Sequence, residues 1–235
     1  MLALTATLDL PNQVPSVLPM PAQARRVPSA EPATHASAMP AFYAPREDLF
    51  LEGDEATHML EVVSGVICAY RLLPDGHRHV VSFYFAGDLI GYNPGRTHTF
   101  SAQALNRVSV RRIPRGAVSQ MIETRPGFAR RLLDLATGEL AMTRDHLLCL
   151  AAKSAEARLA ALLLALSRRN ADAGEDPRQI HLAMTRLDIG DYLGLTIETV
   201  SRTLSKLKRN GIIMLPRTTC VVIRDEEALR EIAQS

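Results

Sequence analysis

The amino-acid sequence predicts an α+β protein with a β-rich N-terminal part and a helical C-terminal part. Three observations support this prediction. Between about residues 41 and 115, short apolar runs alternate with turns that contain Pro, Gly and Asp. From Pro126 onward apolar residues recur at helical spacing, and two short helical patterns flank Gly194. We therefore divide the 235 residues into an arm (1–44), a β-domain (45–125), a long helix (126–152) and a C-terminal domain (153–235).

The overall composition excludes several classes of protein. Hydrophobic residues make up 47% of the chain, which is enough to form a core and excludes disorder throughout. The net charge of +2 is too small for a general polycation, so any nucleic-acid surface must be local. The longest apolar stretch, residues 159–166, is far shorter than the roughly 20 residues that cross a bilayer. We expect no transmembrane helix.

The N-terminus and the cysteines both predict a cytoplasmic protein. Asp9 and Pro11 interrupt the region in which a secretory signal would be apolar. The three cysteines are too few and too widely spaced for a disulfide framework or a four-thiolate metal site: they are Cys68, Cys149 and Cys220. We expect reduced thiols and no bound metal.

Residues 1–44 have the composition of a flexible arm. Eight of the 14 prolines fall within residues 1–45, and residues 1–44 contain no glycine and only four charged residues. Such a segment cannot bury enough apolar surface to form its own core.

The β-domain is predicted from closely spaced apolar runs. The turns between them include 73–76 (LPDG) and 86–88 (AGD). Short strands with such turns are typical of a small antiparallel barrel or jelly roll rather than a parallel sheet. The predicted strands cover residues 57–63, 65–72, 80–85 and 108–113.

A heptad pattern predicts the long helix of residues 126–152. Leu133, Leu140 and Leu147 recur every seven residues, which is the spacing of a dimer seam. An amphipathic helix that packs on its own β-domain would produce the same pattern. A second helix, residues 154–169, is predicted to follow and to end in a basic turn.

The segment after residue 184 predicts a helix-turn-helix. Thr185 and Asp188 have the spacing of an N-terminal capping pair, and Gly194 can end the first helix in a left-handed conformation. Gly190 has no side chain, so a second helix can cross close to it. Thr196 is suited to cap that second helix.

Apolar residues of the second helix are spaced to pack on the first. Val200 and Leu204 stand at positions i and i+4, so both face Ile189 and Leu193. After the helix, Asn210 and Gly211 break the pattern, and two apolar runs around residues 216–219 predict a β-hairpin. A hairpin in this position is the wing of a winged helix.

The exposed side of the second helix then contains residue types that contact DNA bases. Arg202 can donate to guanine, Glu198 can accept from a cytosine amino group, Ser201 suits a base or a phosphate, and Ile197 can touch a thymine methyl group. A simple solvent-exposed Glu–Arg pair would explain two of them. The preceding glycines and the following basic residues favour DNA binding.

Residues 184–217 contain six basic and three acidic residues, a local excess of three positive charges. Residues that follow the base-contacting positions are suited to neutralise DNA phosphates. We predict phosphate contacts at Thr196, Lys206, Lys208 and Arg209.

Four segments together resemble the CRP/FNR superfamily of transcription regulators, and most closely its FNR and FixK branches. The similarity extends from about residue 45 to the end, and the fourth segment is the most specific. The segments are FAGDLIGY (85–92), FSAQAL (100–105), AEARLAALLLALSRR (155–169) and MTRLDIGDYLGLTIETVSR (184–202).

The resemblance implies a fold and a function. The fold is a cyclic-nucleotide-binding-like β-roll, a long dimerisation helix with the leucine seam, and a C-terminal winged helix-turn-helix. Glu198, Ser201 and Arg202 match the base-contacting E-x-x-S-R pattern of FNR-like proteins. The implied function is a homodimeric transcription regulator, and most simply an activator, of FixK type. It would bind a palindrome like TTGAT-N4-ATCAA and control microoxic, anaerobic or nitrogen-fixation genes.

Departures from the relatives predict that no cofactor is bound. FNR proteins hold an iron–sulfur cluster on N-terminal cysteines, whereas residues 1–67 contain none. Cyclic-AMP-binding members have a Gly-Glu pair and an Arg-Ser-Ala phosphate cradle. This chain has Gly91-Tyr92 and Phe100-Ser101-Ala102 near those places, with an aromatic residue in place of the phosphate-binding arginine.

Further roles are predicted at single residues. The resemblance implies that the hairpin with Asp75 and Arg78 contacts RNA polymerase. Cys220 lies on the predicted wing near the path of the DNA phosphates, so we expect its oxidation to add negative charge and weaken DNA binding. An alternative function is a sensor that binds haem or another small effector, with ligands among three residues: Cys68, His58 and His98.

A metalloenzyme of cupin type is a more distant alternative. His77 and His79 alternate along a probable strand, but no glutamate follows before Glu123 to complete a site. The chain contains no Gly-x-Ser-x-Gly, phosphate-loop or Rossmann glycine pattern. We therefore do not expect an enzyme.

Overall fold

The computed structural model describes residues 39–93 and 95–235, and residues 1–38 of the predicted arm lie outside them. The α+β class and the order of β-roll, long helix and winged helix-turn-helix are confirmed. No helix within the described residues combines the length and the apolar character that a membrane span requires.

The N-terminal domain is a β-roll of two four-stranded antiparallel sheets. The strand order is β1-β8-β3-β6 in one sheet and β2-β7-β4-β5 in the other. Apolar side chains of both sheets, such as Val62, Ile67 and Val110, are buried between them. The strands are β1 (Met39–Tyr43), β2 (Asp48–Phe50), β3 (His58–Ser64), β4 (Ile67–Leu72), β5 (Arg78–Tyr84), β6 (Leu89–Ile90), β7 (Ser101–Ala104) and β8 (Val108–Pro114).

Strand β1 corrects the predicted boundary of the arm. It pairs antiparallel with β8, and Tyr43 stands opposite Val108. Ala41 and Tyr43 pack partly buried against the β-roll core. The β-roll therefore begins at Met39 rather than at residue 45, because the apolar residues of β1 gain a hydrogen-bonded neighbour that is distant in sequence.

Two helices follow the β-roll. Helix α1 (Arg115–Thr124) was not expected from the sequence, and it packs on the β-roll through Val118 and Met121. Helix α2 (Pro126–Ala152) has the bounds that the heptad pattern predicts, with Pro126 in its first turn, where a missing N–H costs nothing.

The C-terminal domain contains four helices and a three-stranded sheet of order β10-β11-β9. Helix α3 is longer than predicted and ends at the left-handed Gly174. The elements are α3 (Ala155–Ala173), β9 (Gln179–His181), α4 (Arg186–Leu193), α5 (Ile197–Arg209), β10 (Ile213–Arg217), β11 (Cys220–Ile223) and α6 (Glu226–Gln234).

The two domains share one hydrophobic core. Cys68, Val80 and Phe83 of the β-roll belong to the same buried cluster as the apolar residues of α3, α4 and α5. The ring of Phe83 lies 5.2 Å from that of Tyr192 on α4. The winged helix is therefore packed against the β-roll of its own chain.

Arg158 joins the helices around the boundary between the domains. Its guanidinium donates to three main-chain carbonyls, those of Leu150 in α2 (2.7 Å), Lys153 (3.0 Å) and Leu193 in α4 (3.0 Å). These carbonyls lie at helix ends, where they lack an intrahelical partner. One side chain thus fixes the end of α2 relative to α3 and α4.

Prediction for His146. The ring of His146 on α2 stacks on Tyr192 with centroids 4.3 Å apart. Burial lowers the pKa of His146 to about 4; a hydrogen bond with the Tyr192 main chain opposes this shift, and the electrostatic interactions with His79 and Arg158 add to it. As the pH falls below about 6.5, His146 binds a proton in the unfolded chain but not in the folded chain. The free energy of unfolding therefore falls.

His146→Phe keeps a stacked ring but removes this titration. Between pH 7 and pH 5 the wild-type protein should lose about 2 kcal/mol more of its free energy of unfolding than the variant does. Urea unfolding of both proteins at the two pH values measures the difference. Identical pH dependence would show that His146 titrates alike in the folded and unfolded chains.

Candidate DNA-binding surface

Helix α4 begins and ends as the sequence predicts. The Thr185 hydroxyl accepts the Asp188 N–H at 3.1 Å, and the Asp188 carboxylate accepts the Thr185 N–H at 2.9 Å, which completes a capping box. Gly194 ends the helix with φ of 63°, in the left-handed region that favours glycine.

Gly190 permits a close approach, but by the turn rather than by the second helix. A Cβ atom at this position would lie 2.6 Å from the Leu195 carbonyl oxygen. The Leu195 N–H in turn donates to the Gly190 carbonyl at 2.9 Å. The glycine therefore lets the turn fold back onto α4, and this fixes where α5 begins.

Helix α5 buries one side and exposes the other. Thr196 caps its N-terminus by accepting the Thr199 N–H at 3.2 Å. Val200 and Leu204 are buried with Ile189 and Leu193, as predicted. All four predicted base-contacting residues lie on the solvent-exposed side, in the N-terminal half of the helix: Ile197, Glu198, Ser201 and Arg202.

The exposed side of α5 has two opposite charges, those of Glu198 and Arg202. Hydrogen bonds from its own backbone N–H and the Thr196 hydroxyl, together with the charge of Arg202, lower the pKa of Glu198. The Arg202 guanidinium donates to the Thr199 hydroxyl at 3.3 Å. The surface thus presents an ionised acceptor and a guanidinium donor side by side.

The predicted phosphate-contacting residues differ in their surroundings. Lys208 and Arg209 are exposed at the end of α5. Lys206 instead forms an ion pair with Glu156 of α3, with nitrogen and oxygen 2.6 Å apart. The Thr196 hydroxyl caps α5. Lys208 and Arg209 are thus the better candidates for phosphate contacts.

The wing is held by a residue that the sequence analysis did not single out. Arg186 of α4 donates to the Thr218 carbonyl at the tip of the β10–β11 hairpin, at 2.8 Å. Cys220 is buried on β11, opposite His181 of β9, and lines an open cavity of about 460 Å³ together with Arg217. No local signal indicates these contacts. Arg186 and Thr218 are distant in sequence, and β9 has only three residues.

Arg78 is not part of an exposed hairpin tip. Asp75 and His77 are exposed there, and their side chains lie 3.2 Å apart. Arg78 begins β5 and points at α4, where its guanidinium lies 2.6 Å from the Asp188 carboxylate. The contact of Asp75 and Arg78 with RNA polymerase stays a prediction, and the structure engages Arg78 between the two domains.

Aromatic rings pack around Gly91 and Phe100, two of the positions that the sequence analysis compared with a cyclic-nucleotide cradle. His98 stacks on Phe50 with centroids 3.7 Å apart, and Phe100 lies 5.8 Å from Phe50. A Cβ atom on Gly91 would lie 3.3 Å from the His98 ring. Gly91 and Phe100 therefore lie in an internal aromatic cluster, whereas Tyr92 is exposed.

The candidate haem ligands lie in different parts of the molecule. Burial raises the pKa of Cys68 to about 12, and this thiol lies in the core shared by the two domains. His98 stacks inside the β-roll, and His58 interacts with the Thr57 hydroxyl at 2.8 Å. Within residues 39–93 and 95–235, no group of three or more His, Cys, Asp or Glu residues could hold a metal ion.

Two family models match the chain. Residues 40–125 match the cyclic nucleotide-binding domain, and residues 157–232 match the Crp-like helix-turn-helix domain. The transcriptional activatory protein AadR of Rhodopseudomonas palustris is 40% identical over 173 residues, which are 74% of this chain and 72% of AadR. The chain belongs to the CRP/FNR family of transcription regulators.

Further comparisons support the FixK branch of this family. The nitrogen fixation regulation protein FixK of Bradyrhizobium diazoefficiens is 43% identical over 169 residues, which are 72% of this chain and 71% of FixK. The structure of FixK2 from Bradyrhizobium japonicum superposes with a TM-score of 0.79 and 35% identity, covering 84% of this chain and 98% of FixK2. This CRP/FNR protein is thus a DNA-binding transcription regulator of FixK type, and not an enzyme.

Prediction for Gly190. A methyl group at Gly190 must displace the main chain at Leu195, so Gly190→Ala should lower the free energy of unfolding by about 1–3 kcal/mol. The matched control is Gly138→Ala in α2, where a Cβ atom would meet nothing within 4 Å. That variant should gain up to about 1 kcal/mol from helix propensity. Urea unfolding compares the two, and equal effects would contradict the close approach.

Proposed function

We propose that this CRP/FNR protein binds as a homodimer to a palindromic site like TTGAT-N4-ATCAA and activates transcription of microoxic, anaerobic or nitrogen-fixation genes. The main support is the exposure of Glu198, Ser201 and Arg202 together in the N-terminal half of α5, the part of a recognition helix that enters the major groove. The names of AadR and FixK, an activatory protein and a nitrogen fixation regulator, support the biological role.

Base recognition is divided among the exposed residues of α5. The Arg202 guanidinium donates to O6 and N7 of a guanine, and the Glu198 carboxylate accepts from a cytosine amino group. Ser201 binds a base edge or a phosphate, and Ile197 contacts a thymine methyl group. Because Glu198 is ionised, it repels DNA that offers no amino group at that position, and this repulsion adds specificity.

Helix α2 is the dimer interface in this proposal. Leu133, Leu140 and Leu147 are 63%, 52% and 61% exposed, although each would be expected in a core. They lie on one heptad line of a helix of 27 residues. A second copy of the chain covers this line and brings two recognition helices about 34 Å apart, which matches half-sites one helical turn apart.

Two further elements of the proposal concern control. Asp75 at the exposed β4–β5 tip contacts RNA polymerase. Hydrogen peroxide, which is reduced to water, oxidises the Cys220 thiol on the wing to a sulfinate, and this negative charge weakens DNA binding. We place the action of the protein in the cytoplasm, where the DNA of its bacterial relatives lies.

Prediction for the bases. Arg202→Ala should flatten the preference at one base pair of each half-site, because a bidentate contact contributes about 1–3 kcal/mol of discrimination. Selection from a randomised DNA pool measures the preference. The matched control is Lys208→Ala, which should weaken binding to all sequences alike and reduce the salt slope by about one unit. An unchanged motif with Arg202→Ala would mean that α5 does not contact the bases.

Prediction for the dimer. Replacing Leu140 and Leu147 together by Asp should give a monomer in sedimentation and abolish binding to the palindrome, because it would bury unpaired charges at the interface. Leu72→Asp is the control, since Leu72 is also 63% exposed but lies on β4 of the β-roll. A dimer that survives the double substitution would remove α2 from the interface.

A further inference from the structure

Two ion pairs cross the boundary between the β-roll and the winged helix. One joins Arg78 of β5 to Asp188 of α4, with nitrogen and oxygen 2.6 Å apart. The other joins Asp88, in the turn after β5, to Arg169 of α3 at 3.0 Å. Their side chains are 23% and 7% exposed in the first pair and 3% and 7% in the second.

Arg78 is held on several sides at once. Its guanidinium donates to the Cys68 sulfur at 3.2 Å and lies 4.5 Å from the centre of the Tyr70 ring. Burial alone would raise the pKa of Asp188, but hydrogen bonds from Thr185 and Arg78 outweigh it and lower the pKa. Asp188 therefore caps α4 with one oxygen and binds the β-roll with the other.

The second ion pair is more enclosed than the first. Asp88 accepts the Phe85 N–H at 2.8 Å, and the Arg169 guanidinium lies 4.3 Å from the centre of the Phe85 ring. Burial raises the pKa of Asp88 to about 6, although Arg169 opposes the shift. The carboxylate is ionised at pH 8.

The two ion pairs and the end of α2 attach the winged helix at three separate places. Arg78 holds the start of α4, Asp88 holds the last part of α3, and Arg158 fixes the junction that follows α2. A rigid body attached at one point can still rotate. The ion pairs attach two further elements, α4 and α3, and so restrict that rotation.

We propose that Arg78 and Asp88 are positioning residues that fix the separation of the two recognition helices in the dimer, and so select the spacer length of the palindrome. This inference rests on the proposed function. Adding one base pair to the spacer moves a half-site by about 3.4 Å and rotates it by about 35° around the DNA axis. A winged helix whose orientation is fixed by both ion pairs cannot follow such a shift. One held only by the shared apolar core and the α2 junction has more orientations available, because apolar contacts are not directional.

The experiment compares binding to palindromes with spacers of two to six base pairs at pH 8. The variants are Arg78→Met, which keeps the stem beside Tyr70, Asp88→Asn, which keeps an acceptor for the Phe85 N–H, and the two combined. Arg71→Met is the matched control, because Arg71 pairs with Glu52 at 2.6 Å within the β-roll alone. Circular dichroism and sedimentation verify that each protein is folded and dimeric.

The wild-type protein and Arg71→Met should bind the preferred spacer at least tenfold more tightly than spacers that differ by one base pair. The double variant should lose most of this preference, so that its affinities for neighbouring spacer lengths become nearly equal. If it bound every spacer more weakly by the same factor, the two ion pairs would be only structural and the inference would be overturned. If the wild-type protein showed no preference for a palindrome, the proposed function itself would fail.

Discussion

The position of the recognition helix depends on the hydrophobic core that the β-roll and the winged helix share. Phe83 and Val80 of β5 are fully buried in the same cluster as Leu193 of α4 and Val200 of α5. Separating the domains would expose these side chains to water, at roughly 1.5–3 kcal/mol for each large one. The winged helix is therefore held against the β-roll by apolar burial. The polar contacts at the boundary add to this packing.

Three arginines at this boundary bind groups from other elements. Arg158 satisfies three carbonyls at helix ends, and Arg78 and Arg169 each bind a buried carboxylate. Buried ion pairs add little net stability, because the loss of hydration offsets the attraction. Their geometry is nevertheless directional, since a guanidinium binds a carboxylate in few orientations. Apolar burial thus holds the domains together, while the ion pairs determine how they are oriented.

The exposed side of α5 combines attraction with repulsion. Lys208 and Arg209 supply positive charge near the C-terminal end of the helix, while Glu198 places a negative charge near its N-terminus, where the helix dipole stabilises it. The negative charge of Glu156 offsets the positive charge of Lys206, with which it forms an ion pair. The surface therefore has a smaller net positive charge than its basic residues alone would give it.

The sequence by itself determined the elements whose signals are local. The capping pair Thr185 and Asp188, the left-handed Gly194 and the heptad leucines define α4, its end and α2 within a few residues each, so these elements were predictable. The exposure of Glu198 and Arg202 followed from the burial of Val200 and Leu204 on the same helix.

Only the tertiary structure decided which distant residues meet. Strand β1 exists because β8, more than 60 residues later, offers it hydrogen bonds. The position of Arg78 beside a turn predicts an exposed side chain, yet Arg78 binds Asp188, which is 110 residues away in sequence. Lys206 likewise pairs with Glu156, 50 residues earlier. Local patterns determine helices and turns because those contacts lie within a few residues, whereas pairing between domains depends on the three-dimensional path of the whole chain.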